Sequence, residues 1–305
     1  MGQDKRLLPE INDGRFFVSP ILGCTGACSY CYLRIKDFNC PHENKITKSD
    51  LISVAKKSDE FTIGKNGGII SVGAWGDIFP LGNDRLIAHS VDVIKYLLSW
   101  GNPVQIMSKN ILSEALVKEI AHSIEYPGQL VYSTTITSIN YWEKFEPGTV
   151  NPVERLKTCS LFKKIGVPTN VLIKPFLPGI TDREIDDIVD MIIDYDIDYV
   201  TLGVLYCTPQ IVEAVNNNSF LAKNLDIGLI FRENHLDCNG KDVVSSTLDD
   251  AVIEYMSYLK SKKIKTFLKS SCVSSNVLGI VNPSKYYINK NKYCIACGNC
   301  KIKGR

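Results

Sequence analysis

Apolar runs of strand length alternate with segments of helical period along the first two thirds of the chain. The pattern predicts strands at 16–22, 68–74, 103–107, 130–135, 169–175 and 199–206, with helices at 84–100, 112–124, 152–165 and 182–195. Strands that alternate with helices in this way predict βαβ units and a parallel sheet. Six strands are too few to close an eight-stranded barrel. We therefore predict an open α/β sheet, with its chemistry in the loops at the carboxyl ends of the strands.

The regular alternation ends near residue 206. Residues 207–247 show no clear period, 248–261 have a helical pattern, and 264–268 have the composition of a strand. A chain of 305 residues fits one large domain or one domain with an appendage. We predict a core domain at 1–206 and a C-terminal region at 207–305 that covers the substrate.

Composition narrows the class of protein. The 35 basic and 33 acidic residues leave a net charge of +2, which disfavours direct binding to nucleic acid and favours a small-molecule substrate. No apolar run reaches the ~20 residues of a membrane span, and the first residues lack a hydrophobic signal segment. Six of the 11 cysteines lie in two tight groups, which indicates metal binding in a reducing compartment. The sequence thus predicts a cytoplasmic protein without a membrane partner.

The first cysteine group is Cys24, Cys28 and Cys31, with a C-x3-C-x2-C spacing directly after the first predicted strand. A four-iron cluster normally takes one thiolate per iron, so three thiolates leave one iron open. The alternative is a zinc site, but zinc loops usually pair C-x2-C units with a nearby fourth ligand. The next cysteine, Cys40, follows a charged stretch. The spacing favours a [4Fe-4S] cluster.

This spacing, with Tyr30 before the last cysteine, resembles the signature of the radical S-adenosylmethionine (SAM) superfamily. The resemblance implies a partial (βα)6 TIM-like barrel with parallel strands. It also implies SAM bound to the open iron, a 5'-deoxyadenosyl radical released by one-electron reduction, and an electron donor such as flavodoxin or ferredoxin. The enzyme class that it implies is a lyase.

Over residues 14–206 the chain resembles the spore-photoproduct-lyase-like branch of that superfamily. The segments that carry the resemblance are Tyr32-Leu33, Gly76-Asp77-Ile78, Ser108-Lys109, Ser133, Glu146-Pro147-Gly148, the helix start at Pro152, and residues 178–182. The cofactor-binding residues that it implies are Tyr30, Gly76, Asp77, Ser108, Lys109 and Ser133.

Each of these residue types suits its implied contact, and each has a plainer alternative. Tyr30 can stack on the adenine or be a core tyrosine. Lys109 can pair with the methionyl carboxylate or lie on the surface. Ser108 and Ser133 can donate to the carboxylate or ribose, or only form local turns. Asp77 can accept from the cofactor's amino group or from a substrate, or it can form an Asx-turn.

One departure from the branch concerns the substrate. Spore photoproduct lyase carries a hydrogen-donating cysteine just after its second strand, whereas residues 73–77 here read Gly-Ala-Trp-Gly-Asp. Trp75 cannot donate that hydrogen atom, but it can stack on a flat heterocycle, unless it is only a packing residue. This disfavours thymine-dimer repair and favours a smaller aromatic substrate.

The chain most resembles the subgroup that splits queuine, a modified 7-deazaguanine base, to 7-aminomethyl-7-deazaguanine. Carboxylates accept the paired N–H groups of such a base. The candidate carboxylates are Asp77, Glu146, Glu233 and Asp237. Two alternatives stay open: a nucleic-acid repair or modification lyase of the same branch, and an iron-sulfur sensor or binding module.

The second cysteine group is Cys294, Cys297 and Cys300. Three ligands fit an auxiliary iron-sulfur cluster, and zinc or a closed cluster would need a fourth. Cys272 is the nearest candidate, and Cys238 and Cys207 are others. The alternative is that these cysteines bind nothing. Cys40 and Cys159 are predicted to be structural, because a free cysteine behaves as a small hydrophobe.

Overall fold

The computed structural model describes residues 6–12, 14–33, 38–205, 208–226, 246–282, 297 and 299, with backbone only for 246–251. Its strands are β1 (Glu10–Asn12), β2 (Arg15–Val18), β3 (Ile21–Leu22), β4 (His42–Glu43), β5 (Ile69–Val72), β6 (Val104–Met107), β7 (Leu130–Thr135), β8 (Thr169–Ile173), β9 (Tyr199–Leu202) and β10 (Thr266–Phe267). Eight of them form one sheet in the order β1-β2-β5-β6-β7-β8-β9-β10. Only β1 in that sheet is antiparallel to its neighbour; β2 and β5 to β10 are parallel.

Helices connect the parallel strands. They are α1 (Lys48–Lys57), α2 (Asp84–Leu98), α3 (Glu114–Ala121), α4 (Trp142–Phe145), α5 (Pro152–Lys164), α6 (Ile185–Asp194), α7 (Pro209–Asn217), α8 (Ser219–Asn224), α9 (Ser246–Ser261) and α10 (Ser270–Leu278). Several begin at a side-chain cap: Asn83, Ser113 and Asn151 each accept an N–H from the first turn of the helix that follows. Such caps satisfy otherwise orphaned N–H groups and fix where each helix starts.

The two faces of the parallel strands differ in chemistry. Outward positions are apolar and pack under the helices: Val72, Ile106, Tyr132, Val171 and Val200 all belong to the main core. The alternate positions face the inside of the barrel, and they are mostly polar: Arg15, Ser71, Gln105, Ser133, Asn170 and Thr201. This period of two places one side of each strand in the core and the other toward the barrel interior.

The predicted partial TIM-like barrel of parallel strands is confirmed, with three corrections of detail. The predicted strand 16–22 is two strands, because it breaks at Ser19-Pro20, whose carbonyl oxygens accept hydrogen bonds from Asn44. Strand β3 then pairs with β4 in a separate two-stranded sheet. The parallel strands number seven among the described residues instead of six, because β10 adds beside β9.

The C-terminal region joins the same core. Met256 of α9, Phe267 of β10 and Val273 of α10 are buried in the main core, and α10 lies against the sheet, where the Gln105 side chain donates to the Ser270 carbonyl. The chain after residue 206 therefore completes the sheet of the core domain. Coverage of a substrate by residues 207–305 stays a prediction. None of the described helices is both long and apolar enough to cross a membrane.

Candidate radical site

The loop that follows β3 carries Cys24, Cys28 and Cys31, and glycines fasten its start to the end of β5. Gly23 donates its N–H to the Trp75 carbonyl at 2.8 Å and forms a parallel bridge with Gly76. A Cβ on Gly23 (φ +90°) would lie 2.2 Å from the Cys40 carbonyl oxygen, and one on Gly76 would lie 2.5 Å from that of Gly23. Only glycine permits this approach. Gly76, a predicted cofactor residue, thus positions the cysteine loop.

A second contact holds the middle of the loop against the segment that follows α4. Gly148 donates its N–H to the Gly26 carbonyl at 3.1 Å, and Ser29 donates to the Phe145 carbonyl at 2.9 Å. A Cβ on Gly148 would lie 1.9 Å from the Thr25 carbonyl oxygen, so the two backbones can meet only at a glycine. The Glu146-Pro147-Gly148 segment of the sequence therefore acts as a backbone support for the cysteines.

Gly26 packs closely beside two of the three sulfurs. A Cβ there would lie 3.2 Å from Cys24 Sγ and 3.5 Å from Cys28 Sγ. Burial is the main cause that raises the pKa of Cys24 to about 11 and that of Cys28 to about 12. Ligand thiols must be deprotonated, so cluster binding releases protons here. Three thiols on one glycine-bearing loop fit an iron-sulfur cluster.

Within the described segments, no three His, Cys, Asp or Glu side chains are grouped closely enough to hold a single metal ion. A zinc ion needs its ligands to converge at about 2.0 to 2.3 Å from one point. A four-iron cluster takes its thiolates at separate irons. The preference for the cluster over zinc rests on the C-x3-C-x2-C spacing of Cys24, Cys28 and Cys31.

Lys109 brings a positive charge to these thiols. It lies just after β6, and its Nζ is 3.6 Å from Cys28 Sγ, 2.6 Å from Tyr30 Oη and 2.9 Å from Glu146 Oε1. Burial lowers the pKa of Lys109, but the charges of Cys28 and Glu146 outweigh burial and raise it. The Lys109 ammonium therefore lies between the cysteine loop and the buried Glu146 carboxylate.

Glu146 is the counterion that holds Lys109. Its side chain is fully buried, Arg155 Nη2 donates to Oε2 at 2.7 Å, and Thr137 donates to Oε1 at 2.8 Å. Burial would raise the pKa of Glu146, but Lys109 and Arg155 together lower it to about 2. This corrects the prediction that Glu146 lies on the mouth as a substrate carboxylate, because a carboxylate enclosed by two cations has no free face. Arg155 was not among the residues predicted for the site.

Tyr30 lies below Lys109 as part of the same network. Its hydroxyl donates to Glu146, its ring centroid is 6.0 Å from that of Phe145, and Lys109 Nζ lies 5.0 Å above the ring. Burial, then the charge of Glu146, raises the pKa of the hydroxyl well above its ordinary value. The geometry is that of the core-tyrosine alternative, and a contact with adenine stays a prediction.

Asp77 clamps the ends of β5 and β6 together. Its Oδ1 accepts from Ser108 Oγ at 2.6 Å and from the Phe79 N–H at 3.0 Å, and its Oδ2 accepts from the Lys109 N–H at 3.0 Å. The Phe79 bond is the Asx-turn that the sequence offered as the alternative. Ser133, the other predicted serine, is buried in β7 and accepts from Asn170 Nδ2 at 3.1 Å. Direct cofactor contacts of these residues stay predictions.

An aromatic rim, made of Tyr32, Phe38 and Trp75, lies beside the cysteine loop. The Trp75 centroid is 5.6 Å from that of Tyr32 and 6.3 Å from that of Phe38, both edge to face. The Tyr32 hydroxyl donates to the Ala74 carbonyl. Trp75 is half-buried and Tyr32 is exposed. The rim presents aromatic surface next to the predicted radical site.

The second cysteine group is described only in part. Cys297 is buried with its Sγ 3.9 Å from the Thr266 carbonyl oxygen, and Cys272 is buried with its Sγ 3.6 Å from Asn282 Nδ2. The other predicted residues, Cys207, Cys238, Cys294, Cys300, Glu233 and Asp237, lie outside the described residues. Cys159 is buried in the core as predicted, whereas Cys40 is exposed, which corrects the prediction of a buried structural thiol.

Solved structures share this fold. Spore photoproduct lyase complexed with dinucleoside spore photoproduct is 16% identical with a TM-score of 0.60, and the match covers 83% of this chain and 75% of that one. SuiB of Streptococcus suis bound to S-adenosylmethionine is 12% identical with a TM-score of 0.51, covering 83% of this chain and 49% of that one. At these identities the likeness shows the fold alone.

The relatives found by sequence have no described activity. Uncharacterized proteins of Mycobacterium tuberculosis and Mycobacterium bovis are each 23% identical over 177 residues, which is 55% of this chain and 51% of theirs. The chain thus spans about half the length of these curated relatives. The family model of the Radical SAM superfamily matches residues 18–192, the segment that carries the cysteine loop, Asp77, Lys109 and Glu146. Because that match covers more than half of the chain, the chain belongs to the Radical SAM superfamily.

Proposed function

We propose that this enzyme is a radical SAM lyase that cleaves a C–N bond of a modified 7-deazaguanine base, converting queuine to 7-aminomethyl-7-deazaguanine for salvage of the queuosine precursor. The observation that carries the radical assignment is the group formed by the three thiols and Lys109 at the carboxyl ends of the strands. Carboxyl ends of parallel strands are where such folds hold their ligands.

The chain's own residues would hold the cofactors. Cys24, Cys28 and Cys31 would ligate a [4Fe-4S] cluster, which together with SAM supplies the 5'-deoxyadenosyl radical. Lys109 would donate to the methionyl carboxylate, because Glu146 fixes its position and the donor that now contacts Cys28 would be released when that sulfur ligates the cluster. Asp77 Oδ2 accepts one described hydrogen bond, from the Lys109 N–H, so it retains a lone pair for the amino group of SAM.

The position of Trp75 is an argument for a flat heterocyclic substrate. The aromatic rim holds its ring edge to face from two sides, and a preoriented indole stacks on a base at a gain of about 1 to 3 kcal/mol. In the proposed reaction a hydrogen atom moves from the cyclopentenediol carbon next to the C–N bond to the 5'-carbon of 5'-deoxyadenosine. The C–N bond then breaks, the ring gains a double bond, and the nitrogen takes one electron from the proposed flavodoxin or ferredoxin and one proton to become the amine. Asp77, Glu233 and Asp237 remain the candidate acceptors for the base edge.

The alternative function is a nucleic-acid repair or modification lyase. It is favoured by the fold, since spore photoproduct lyase is solved with a dinucleoside photoproduct. It is disfavoured by residues 73–77, which carry Trp75 and no thiol. The binding-module alternative has less support, because the family assignment is to an enzyme.

Two accompanying proposals concern electrons and metal. Radical generation consumes one electron, so we propose flavodoxin or ferredoxin as the donor and a reducing, cytoplasmic location. We also propose a second metal at Cys294, Cys297 and Cys300, an auxiliary cluster or zinc. Iron analysis of anaerobically purified protein should then give clearly more than about four irons per chain, or about four with one zinc.

The test is an anaerobic assay of cluster-loaded enzyme with reductant, SAM and queuine. We expect 5'-deoxyadenosine and 7-aminomethyl-7-deazaguanine in matched amounts. Cys28→Ala should abolish both, and Cys40→Ala is the matched control because Cys40 is exposed and lies outside the three-thiol motif. Undiminished 5'-deoxyadenosine from Cys28→Ala would contradict the radical site, and turnover of a dinucleotide photoproduct in place of queuine would favour the alternative.

A further inference from the structure

Lys174 lies at the carboxyl end of β8, and the radical site does not use it. It follows β8 directly, on the side opposite Ile173, which belongs to the main core. The stem lies over Gly203 at the end of β9: a Cβ on Gly203 would come within 2.6 Å of Lys174 Cδ. Lys174 therefore points toward the barrel interior at the carboxyl ends of the strands.

This lysine has no anionic partner among the described residues. Its surface is accessible, and no described hydrogen bond or ion pair involves it. The charged groups that face it are cations, Arg15 of β2 and Lys269 just before α10, while Gly203 of β9 brings no charge. Enclosure by protein, then these two cations, lowers the pKa of Lys174 to about 8.

The strands around it offer no compensating charge. The seven parallel strands, β2 and β5 to β10, contain no Asp or Glu. Lys174 thus carries its positive charge to the carboxyl ends of the strands without a described counterion, on an exposed side chain. Such a cation favours a negatively charged ligand, because a charge-assisted hydrogen bond is stronger than a neutral one.

We infer that Lys174 binds an oxyanion carried by the substrate, such as a phosphate ester. The inference rests on the proposed function only in placing the substrate inside the barrel, and it refines the substrate class. Queuine as the free base has no oxyanion, whereas the 5'-monophosphate of its nucleoside has one. A dinucleotide photoproduct carries the same chemistry in its phosphodiester.

The test compares three substrates on cluster-loaded enzyme: queuine, the nucleoside 5'-monophosphate of the same base, and a phosphodiester-linked dinucleotide photoproduct. We expect the KM of one phosphate-bearing compound to be lower than that of queuine by ~10-fold or more, the scale of a charge-assisted hydrogen bond. Lys174→Met should raise that KM ~10- to 100-fold and leave the KM for queuine unchanged. Lys157→Met, on the exposed face of α5, is the matched control.

One further variant and a pH series separate the effect of the Lys174 charge from that of its position. Gly203→Ala keeps every charge but would displace the Lys174 stem, so it should also raise the KM of the phosphate compound. Between about pH 7 and pH 9.5, where a phosphate monoester stays a dianion, affinity should fall as pH rises through about 8 and Lys174 loses its proton. Lys174→Met should remove that dependence.

A direct binding measurement tests the oxyanion site independently of the reaction. Inorganic phosphate titrated into cluster-loaded enzyme should bind the wild type more tightly than Lys174→Met by ~10-fold or more. If this difference appears while no deazaguanine compound reacts, the proposed function fails and the oxyanion site stands. Equal phosphate affinity, or an effect of Lys174→Met on SAM binding alone, would overturn the inference.

Discussion

Two lysines at the same edge of the barrel have opposite surroundings. Lys109 follows β6 and lies 2.9 Å from the buried Glu146 carboxylate, which with Cys28 raises its pKa despite burial. Lys174 follows β8, faces Arg15 and Lys269, and has its pKa lowered to about 8. On the cysteine side Lys109 thus has a buried counterion, Glu146, which it shares with Arg155. The Lys174 side keeps a positive charge that a ligand can neutralise.

The difference teaches where each ligand binds. Lys109 has a buried counterion, so it is held in place beside the thiols before its ligand arrives. This suits a cofactor whose geometry must be fixed for radical formation. A cation without a counterion is costly until an anion joins it, which suits recognition of a substrate. We therefore assign the Lys109 side to SAM and the Lys174 side to the substrate.

The largest expected effect comes from removing the buried counterion on the cysteine side. Glu146→Ala leaves Arg155 and Lys109 without their shared counterion, and removing one partner of a buried ion pair costs about 3 to 5 kcal/mol in the free energy of unfolding. Denaturant unfolding of the variant measures this loss. Glu154→Ala, which removes an exposed partner of Lys157, should cost far less. Equal losses would show that Glu146 does not organise the site.

A smaller effect is expected at Trp75, which touches the cysteine side but is assigned to the substrate. Trp75→Ala should weaken substrate binding by about 1 to 3 kcal/mol, the loss of one stacking contact, and leave SAM affinity near that of the wild type. Binding titrations with each ligand measure both. Trp75→Phe keeps an aromatic face and should recover much of the affinity. Loss of SAM affinity alone would move Trp75 to the cofactor side.

The smallest effect is a gain of stability when Lys174 is removed. Below about pH 8 the folded and unfolded chains both hold the Lys174 proton, and the folded state bears the full cost of the charge. Between about 8 and the ordinary value of 10.5 the unfolded chain binds more protons, so stability rises with pH. Lys174→Met should therefore be more stable than the wild type near neutral pH.

Thermal unfolding near pH 7 and near pH 10 checks this gain, which should shrink at the higher pH. Lys157→Met should show no gain, because Lys157 has a counterion in Glu154 at 2.5 Å. If Lys174→Met were less stable than the wild type at neutral pH, another group would already neutralise the charge of Lys174, and the predicted gain would be wrong.

Local signals in the sequence predicted most of the fold. Apolar period located α2, α3, α5 and α6 within a few residues, since it is a local property. The break at Pro20 was missed because the apolar run continues through it, although proline cannot donate to a ladder. The composition of 264–268 indicated a strand where β10 lies, but its pairing with β9 depends on residues far apart in the chain.

The site divides in the same way. The cysteine loop has a fixed local spacing, so the sequence shows it. The burial of Glu146 does not follow from its neighbours in sequence, because Lys109 comes from a separate strand end and Arg155 from a helix nine residues on. Lys174 was missed because its environment, Arg15 and Lys269, comes from chain positions that are far apart.

The most direct test of separate cofactor and substrate sides of the barrel mouth is one experiment on two variants. SAM affinity and substrate KM are measured for Lys109→Met and Lys174→Met on cluster-loaded enzyme, with 5'-deoxyadenosine formation recorded in the absence of substrate. The account predicts that Lys109→Met weakens SAM binding ~10- to 100-fold and reduces 5'-deoxyadenosine. It predicts that Lys174→Met leaves both unchanged and raises the KM of the phosphate-bearing substrate. If both variants changed the same ligand's affinity, the division into a cofactor side and a substrate side would be wrong.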